Sequence, residues 1–369
     1  MRNRLHSLCP YFAMFPEEFA EEQIRRYSSR GDLICDPFSG RGTALLQGLL
    51  LGRKAVATDI NPVAYCISAA KADVPALSDV MRQITLLRNR YVNAGERSYE
   101  RERSLLPPFF RRAFYHSTLS ELLFLRSALN WRESRVHRFI AALVLGSLHG
   151  EMDKSSSYFS NQMPRTISTK PDYSVEYWDE HGLWPKKRDV FDLLRKRAKF
   201  RLREEDVPGL PGEVALGDAR ASADLFPGSR RKVKLVLTSP PYLNVTNYEE
   251  DQWLRLWFLG NEPCPTYNTI SKDDRHLDPV KYWGFLREVW QGIEPLLSKG
   301  ATLVCRIGAK DLKRDEVTDG LTESLREVFS RLRRKRPPVV SRIRNRQTEY
   351  FRPGSRGCLY EMDFAFSVT

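Results

Sequence analysis

Apolar runs separated by turn residues divide this chain into short strand-like and longer helix-like pieces. From Leu33 to Cys35 a short apolar run stops at Asp36-Pro37-Phe38-Ser39-Gly40-Arg41-Gly42-Thr43, and Ala44 to Leu51 then has the makeup of a buried helix. The pattern repeats. Lys54 to Thr58 predicts a strand ending in Asp59-Ile60-Asn61-Pro62, and Val63 to Ala70 predicts a helix with Pro62 in its first turn. Two successive strand–helix units predict an α/β fold with a doubly wound, mostly parallel sheet.

Between about Val74 and Gly212 that rhythm breaks. Helical runs at Leu119 to Leu129 and Val136 to Leu148 are followed by a polar, aromatic and basic stretch from Ser155 to Tyr177. The alternation returns with strands at Glu213 to Leu216 and Val233 to Leu237, the second ending at Thr238-Ser239-Pro240-Pro241-Tyr242. Helices are expected at Glu249 to Leu259, Tyr282 to Leu297 and Leu321 to Leu332, and strands at Ala301 to Ile307, Val339 to Ile343 and Leu359 to Phe366. The expected organisation is therefore a sheet-forming core in two parts, residues 1–75 and 213–369, with a largely helical, basic insertion at 76–212.

With 369 residues, 41% of them hydrophobic, the chain can bury a substantial core. A formal net charge of +13 favours a polyanionic partner, because excess Lys and Arg attract phosphate at long range and release its counterions on contact. Six scattered cysteines have neither zinc-site spacing nor the density of a secreted scaffold, so a reducing compartment is expected. The N-terminal residues lack an apolar signal core, and the longest greasy stretch, Phe139 to Leu148, is too short to cross a bilayer. These features suggest an intracellular protein with no membrane partner.

Charge proposes a partner; the turn residues propose chemistry. Gly40 and Gly42 stand where a strand must turn sharply into a helix and let the backbone approach a ligand. Asp36, at the carboxyl end of the strand, can hold a cationic amino group. Asp59 follows about 20 residues on, at the end of the next strand, where a carboxylate accepts hydrogen bonds from ribose hydroxyls. Asp218, after the third strand, can accept an adenine amino group. The third close glycine of a dinucleotide loop is missing, as is the glycine–lysine ending of a P-loop. Together these residues fit a nucleoside-bearing cofactor other than a nicotinamide or ATP.

Thr238-Ser239-Pro240-Pro241-Tyr242 could by itself be a proline-stiffened turn, but it lies at the carboxyl edge of the same expected sheet, where open α/β sheets bind ligands. Here the chain resembles the amino-methyltransferase family of DNA methylases. That family's cofactor loop is similar to Asp-Pro-Phe-x-Gly-x-Gly-Thr, and its catalytic loop reads Ser, Asp or Asn followed by Pro-Pro-Tyr. The resemblance covers Pro10 to about Pro75 and Glu213 to about Gly308. It implies a seven-stranded, Rossmann-like class I fold using S-adenosylmethionine, with S-adenosylhomocysteine as product. The implied cofactor residues are Phe12, Phe15 and Pro16, then Asp36, Pro37, Phe38, Gly40, Gly42 and Thr43, then Asp59, Ile60 and Asn61, then Asp218 and Ala219. The implied catalytic residues are Ser239, Pro240, Pro241 and Tyr242.

These residue types suit amine methylation, because an exocyclic amine conjugated with its ring gains nucleophilicity from acceptors that localise its lone pair. The Ser239 hydroxyl and Pro240 carbonyl can accept, and Tyr242 can stack on a base flipped out of double-stranded DNA. In the family, serine at the first position of the catalytic loop goes with cytosine N4, and aspartate or asparagine with adenine N6. Arg165, Lys170 and Tyr173 in the insertion, and Arg333, Arg334 and Arg336 near the end, are candidate DNA contacts. Pro263-Cys264-Pro265 offers a cysteine for C5 chemistry but follows a helix end, and His149-Gly150-Glu151-Met152-Asp153 reads as solvated charge at a helix end, so no metal is expected. An RNA base methyltransferase and an inactive DNA-binding scaffold are the competing readings. The resemblance further suggests a prokaryotic, cytoplasmic, nucleoid-associated enzyme, possible pairing with a cognate restriction endonuclease, and an oligomeric state the sequence leaves open.

Overall fold

The computed structural model describes residues 3–11, 15–152, 158–164, 170–243, 248–267, 269–271, 275–308, 312–343 and 358–368. Phe12 and Arg165 lie outside the described residues. The chain forms two units.

The sheet unit comprises Ala13–Ala72, Pro208–Asn247 and Asn268–Thr369. Its strands are β1 (Leu33–Asp36), β2 (Lys54–Asp59), β3 (Glu213–Leu216), β4 (Val233–Thr238), β5 (Leu297–Gly308), β6 (Leu332–Arg334), β7 (Val339–Arg342) and β8 (Tyr360–Val368). They run in the order β3-β2-β1-β4-β5-β8, with the first five parallel and β8 antiparallel to β5. The first five positions follow the 3-2-1-4-5 order of a doubly wound nucleotide-binding sheet. β6 pairs with the Phe366–Val368 end of β8 and β7 with its Tyr360–Asp363 end. Because β5 occupies the other edge of β8, these two short strands share one edge, giving eight strands in seven sheet positions.

Strand alternation builds a core on each face. Leu303, Cys305 and Ile307 of β5, with Met362, Phe364, Phe366 and Val368 of β8, pack against Leu286, Trp290 and Ile293 of the helix Pro279–Ile293. The intervening Val304 and Ala365 join Leu235 and Leu237 of β4 on the opposite face, against Phe19, Ala20 and Ile24 of the helix Glu17–Tyr27. A period of two residues thus feeds two layers of helices, and each large apolar side chain fully buried this way stabilises the fold by about 1.5–3 kcal/mol.

Element bounds differ from expectation, most of all near Leu332. The helix expected over Leu321 to Leu332 runs from Arg314 to Arg326, and Leu332–Arg334 is strand β6. Val317, Leu321 and Leu325 lie four residues apart and are buried on one face, whereas Leu332 to Arg334 gains a ladder with β8 that outweighs arginine's helix preference.

The helical unit comprises Met1–Phe12, Asp73–Val207 and Tyr248–Tyr267. Its longest helix, Leu77–Ala94, buries Val80, Ile84, Leu87 and Tyr91, which recur at three- and four-residue spacing. Arg88 of that helix pairs with Asp189 at 2.9 Å and Asp192 at 2.8 Å, joining it to the helix Val190–Arg201. Phe109 and Phe110 pack against Trp253, and Phe110 packs against Trp257 with ring centroids 4.6 Å apart. The helix expected over Glu249 to Leu259 divides at Gln252 into Tyr248–Asp251 and Trp253–Phe258. No described helix is long and apolar enough to cross a membrane.

Candidate active site

The two signature loops follow β1 and β4, adjacent parallel strands on either side of the point where the strand order reverses. In open α/β sheets that reversal leaves a crevice at the carboxyl ends of the strands. Asp36 ends β1, and its Oδ1 accepts from Thr238 Oγ1 of β4 at 2.8 Å and from the Phe38 amide at 3.1 Å. This bond ties the cofactor-type loop directly to the strand that carries Ser239.

Past Asp36 the loop is pinned to β2. The Ser39 amide donates to the Thr58 carbonyl at 2.9 Å and the Gly40 amide to Asp59 Oδ2 at 2.8 Å, while Asp59 Oδ1 accepts from the Asn61 amide at 2.9 Å. Asn61 Oδ1 in turn accepts from the Val63 amide, opening the helix Pro62–Ala72. Lys71 at the far end of that helix is buried and donates from Nζ to the Arg41 carbonyl at 2.6 Å. Pro37 and Thr43 are buried within the turn, Phe38 leans on Phe285, and Ile60 is exposed.

Gly40 and Gly42 both have positive φ, 50° and 74°. A Cβ on Gly42 would sit 2.9 Å from Ser68 Cβ and 3.1 Å from its Cα. Gly42→Ala is therefore expected to lose about 1–3 kcal/mol of stability through left-handed strain and the clash with the neighbouring helix. Chemical denaturation checks this, and an unchanged midpoint would refute it.

Burial holds both carboxylates above their ordinary value of 3.8. Asp36 is pushed up to about 7, with the bonds from Thr238 and Phe38 pulling the other way and the nearby Asp59 charge adding to the rise. Asp59 is pushed up to about 6, its backbone hydrogen bonds partly opposing desolvation. Two desolvated acids at neighbouring strand ends suit a ligand bearing a cationic group and hydroxyl donors.

β3 completes this side. Thr58 Oγ1 lies 3.1 Å from the Ala215 and Gly217 carbonyls, and the Gly217 amide donates to the Asp59 carbonyl. Asp218 follows, beside the buried Ala219, with its carboxylate bound by Arg220 from the backbone amide, Nε and Nη2. Arg220 also reaches Glu288, which Arg275 grips at 2.6 and 2.8 Å. Asp218 is thus held by a cation that sequence reasoning did not foresee. Phe15 is buried edge-to-face on Phe19 in the core, and Pro16 precedes that helix at the surface.

On the Ser239 side, the Tyr282 hydroxyl donates to the Pro241 carbonyl at 2.8 Å, whereas no described residue donates to the Pro240 carbonyl. The Ser239 hydroxyl donates to the Tyr242 hydroxyl at 3.3 Å, and Tyr242 donates to Glu361 Oε1 at 3.0 Å. The Tyr242 ring is buried, and a Cβ on Gly308 would come within 2.9 Å of it. Behind Glu361, Arg306 forms a two-pronged bond to Asp363 at 2.6 and 2.8 Å, approaches Glu361 at 3.5 Å and lies over the Phe19 ring. Thr238, Lys71, Tyr282, Glu361, Arg306 and Asp363 were absent from the sequence-based site. The only signal for the last three was charge inside otherwise apolar strands.

The candidate DNA contacts fall in both units. Lys170 is 3.9 Å from Glu250, and Tyr173 is exposed in the first turn of the helix Pro171–Glu180. Arg333 and Arg334 are consecutive in β6 and so point to opposite faces, with Arg334 bonded to Thr322, while Arg336 donates to Gln23. Cys264 is exposed in the helical unit.

Comparison with known proteins bears on this crevice. A family model described as DNA methylase, covering the N6- and N4-methylating enzymes, matches residues 2–70, the segment that carries the cofactor-type loop. Over that segment the chain is similar to DNA amino-methyltransferases. It is 34% identical over 67 residues to the type II methyltransferase M.MjaII of Methanocaldococcus jannaschii, covering 18% of this chain and 13% of that one. It is 43% identical over 54 residues to the orphan methyltransferase M.BamHII of Bacillus amyloliquefaciens, covering 15% and 20%. A longer match, 22% identical over 282 residues, links it to the type II methyltransferase M.BsoBI of Geobacillus stearothermophilus, covering 69% of this chain and 53% of that one. The matches thus span between 13% and 53% of the relatives' own lengths.

Proposed function

We propose that this chain is a DNA amino-methyltransferase that transfers a methyl group from S-adenosylmethionine to an exocyclic amine of a base in double-stranded DNA, with cytosine N4 as the target. The observation that carries the reading is the Thr238–Asp36 bond, which places the cofactor-type loop and the Ser239 loop at one switch point of the sheet. The left-handed Gly40–Gly42 turn at the strand ends and the two desolvated acids fit the cofactor. Asp36 would meet its amino group, Asp59 its ribose hydroxyls, and the Asp218–Ala219 turn its adenine. When bound, the cofactor supplies an electrophilic methyl on sulfonium.

This chain's residues then act on the amine. Ser239 Oγ and the Pro240 carbonyl accept its hydrogens and localise its lone pair, and the two prolines fix that carbonyl's direction before the substrate arrives. Target bases inside a duplex must be unstacked at a few kcal/mol each, which a closed pocket offsets with its own contacts. Ser239, in place of an acidic or amide residue, favours cytosine. The family's type II relatives support a restriction–modification setting, with DNA contacts from Tyr173 and the basic residues near β6.

Asp36 and Asp59 give this reading a pH signature. Since their folded values lie above 3.8, they favour the fold at low pH, and that contribution is lost as pH rises through about 6 and 7. A cationic ligand binds the ionised form, so cofactor affinity is expected to climb between about pH 6 and 7 and then level off, with proton release on binding in that window. Calorimetric titration in buffers of different ionisation enthalpy measures both. A flat affinity with no proton release would remove the two acids from the cofactor site.

The direct test of function incubates the protein with labelled S-adenosylmethionine and mixed-sequence duplex DNA, then identifies methylated nucleosides by mass spectrometry. N4-methylcytosine is expected. N6-methyladenine would overturn the inference from Ser239, methylation of RNA alone would replace the substrate class, and no transfer to either would reject the proposed enzyme.

A further inference from the structure

The hydrogen-bond chain behind Ser239 has only one consistent proton order. An ionised carboxylate can only accept, so Glu361 obliges the Tyr242 hydroxyl to donate to it across 3.0 Å. With its proton committed, the Tyr242 oxygen can only accept from Ser239, across 3.3 Å. The Ser239 proton is therefore directed at Tyr242, which leaves the remaining lone pairs of Oγ to accept. A lone serine could rotate to donate; this one is held as an acceptor.

The register makes the arrangement rigid. Glu361 sits opposite Gly308 and Asp363 opposite Arg306 in the β5–β8 ladder. The absence of a side chain at Gly308 admits the Tyr242 ring, which a Cβ would strike at 2.9 Å. Arg306, clamped by Asp363 and lying over Phe19, holds Glu361 from the other side at 3.5 Å. Glu361 is partly exposed, with a side-chain accessibility of 21%, so a proton arriving there can pass to water.

We propose that Glu361 is a positioning residue for methyl transfer, acting through Tyr242 to keep Ser239 an acceptor and to take up the proton that transfer releases. The inference rests on the amine-methylation reading above. In the step, the amine lone pair forms the nitrogen–carbon bond as the carbon–sulfur bond breaks with its electron pair passing to sulfur. The nitrogen, now cationic, gives one proton to Ser239 Oγ and keeps the bonding pair. Ser239 passes its own proton to Tyr242, and Tyr242 passes its proton to the Glu361 carboxylate. Serine and tyrosine end unchanged, the nitrogen ends neutral, and Glu361 ends protonated. The chain needs no oxidant, metal or other co-reactant.

The test compares the full-length wild type with Glu361→Gln, Tyr242→Phe and the double variant in single-turnover methyl transfer to duplex DNA, alongside calorimetric binding of S-adenosylmethionine. Glu361→Gln keeps the shape, but its amide can donate to Tyr242 and reverse the proton order. Each single variant is expected to slow transfer at least tenfold with cofactor affinity kept, and the double variant to be no slower than Tyr242→Phe alone. The wild-type rate should also slow in deuterated water, and this isotope effect should vanish in Tyr242→Phe. A Glu361→Gln rate equal to wild type would overturn the proposal, as would losses that add in the double variant. So would a loss that appears only as weaker cofactor binding, which a merely structural role would produce. Absence of transfer by the wild type itself would instead reject the underlying reading, and the inference with it.

Discussion

Ser239→Ala is expected to reduce kcat about 10²- to 10³-fold, the loss typical of removing one preorganised polar group at a reacting centre, and to leave the dissociation constant for S-adenosylmethionine unchanged. The two effects separate because Ser239 contacts Tyr242, whereas the cofactor-type loop is held by Asp59, Thr58 and Lys71. An acceptor at the amine matters most as positive charge develops on nitrogen, so its removal is felt in the transition state more than in the bound ground state. Alanine also leaves the Tyr242–Glu361 bond in place, which keeps the local structure intact. Single-turnover kinetics with saturating DNA measure the effect. A kcat within about threefold of wild type would show that the Pro240 carbonyl suffices and that Ser239 only closes the turn.

Local patterns could reveal the crevice because its parts are short-range. A strand that runs into Gly40-Arg41-Gly42 must turn there whatever the rest of the chain does, and Asp59 is fixed by the same rule one unit later. The near-continuous apolar runs of β4 and β5 likewise follow from burial on both faces. Long-range partners leave no comparable trace. Glu361 meets Tyr242 across 119 positions, and Thr238 meets Asp36 across 202. Each residue is unremarkable in its own stretch, and only the sheet order brings them together.

Misreadings have equally physical causes. The Arg-rich stretch after Leu325 has strong helix formers, yet β8 would have exposed backbone groups along one edge without β6, and pairing outweighed propensity. Asp218 was legible as a carboxylate at a strand end, and Arg220, which clasps it, is only two residues on, but the Glu288 and Arg275 that Arg220 joins lie far along the chain. Nothing in its own stretch singles out Lys71, a cation in the last turn of a helix. Its burial against the Arg41 carbonyl shows that the cofactor-type turn is braced from behind as well as shaped by its glycines.

Arg306→Met is expected to destabilise the fold by about 3–5 kcal/mol, the range for breaking a buried ion pair from one side. Methionine keeps the apolar stem and fills much of the volume over Phe19, so the variant isolates the charge. What remains is Asp363, 4% exposed, with both carboxylate oxygens stripped of their guanidinium partners in the middle of β8. Among the described residues, those two side-chain bonds are what offset its desolvation. Removing the second charge as well, in Arg306→Met with Asp363→Leu, should recover most of the loss, because apolar residues of similar volume replace a buried pair with little penalty. Chemical denaturation of the three proteins reads both outcomes. A single variant as stable as wild type would mean that water reaches Asp363, and a double variant no better than the single would place the stabilisation in Arg306's contact with Glu361. In the second case Glu361 would be the residue that needs the guanidinium, and loss of methyl transfer in Arg306→Met should then match that of Glu361→Gln.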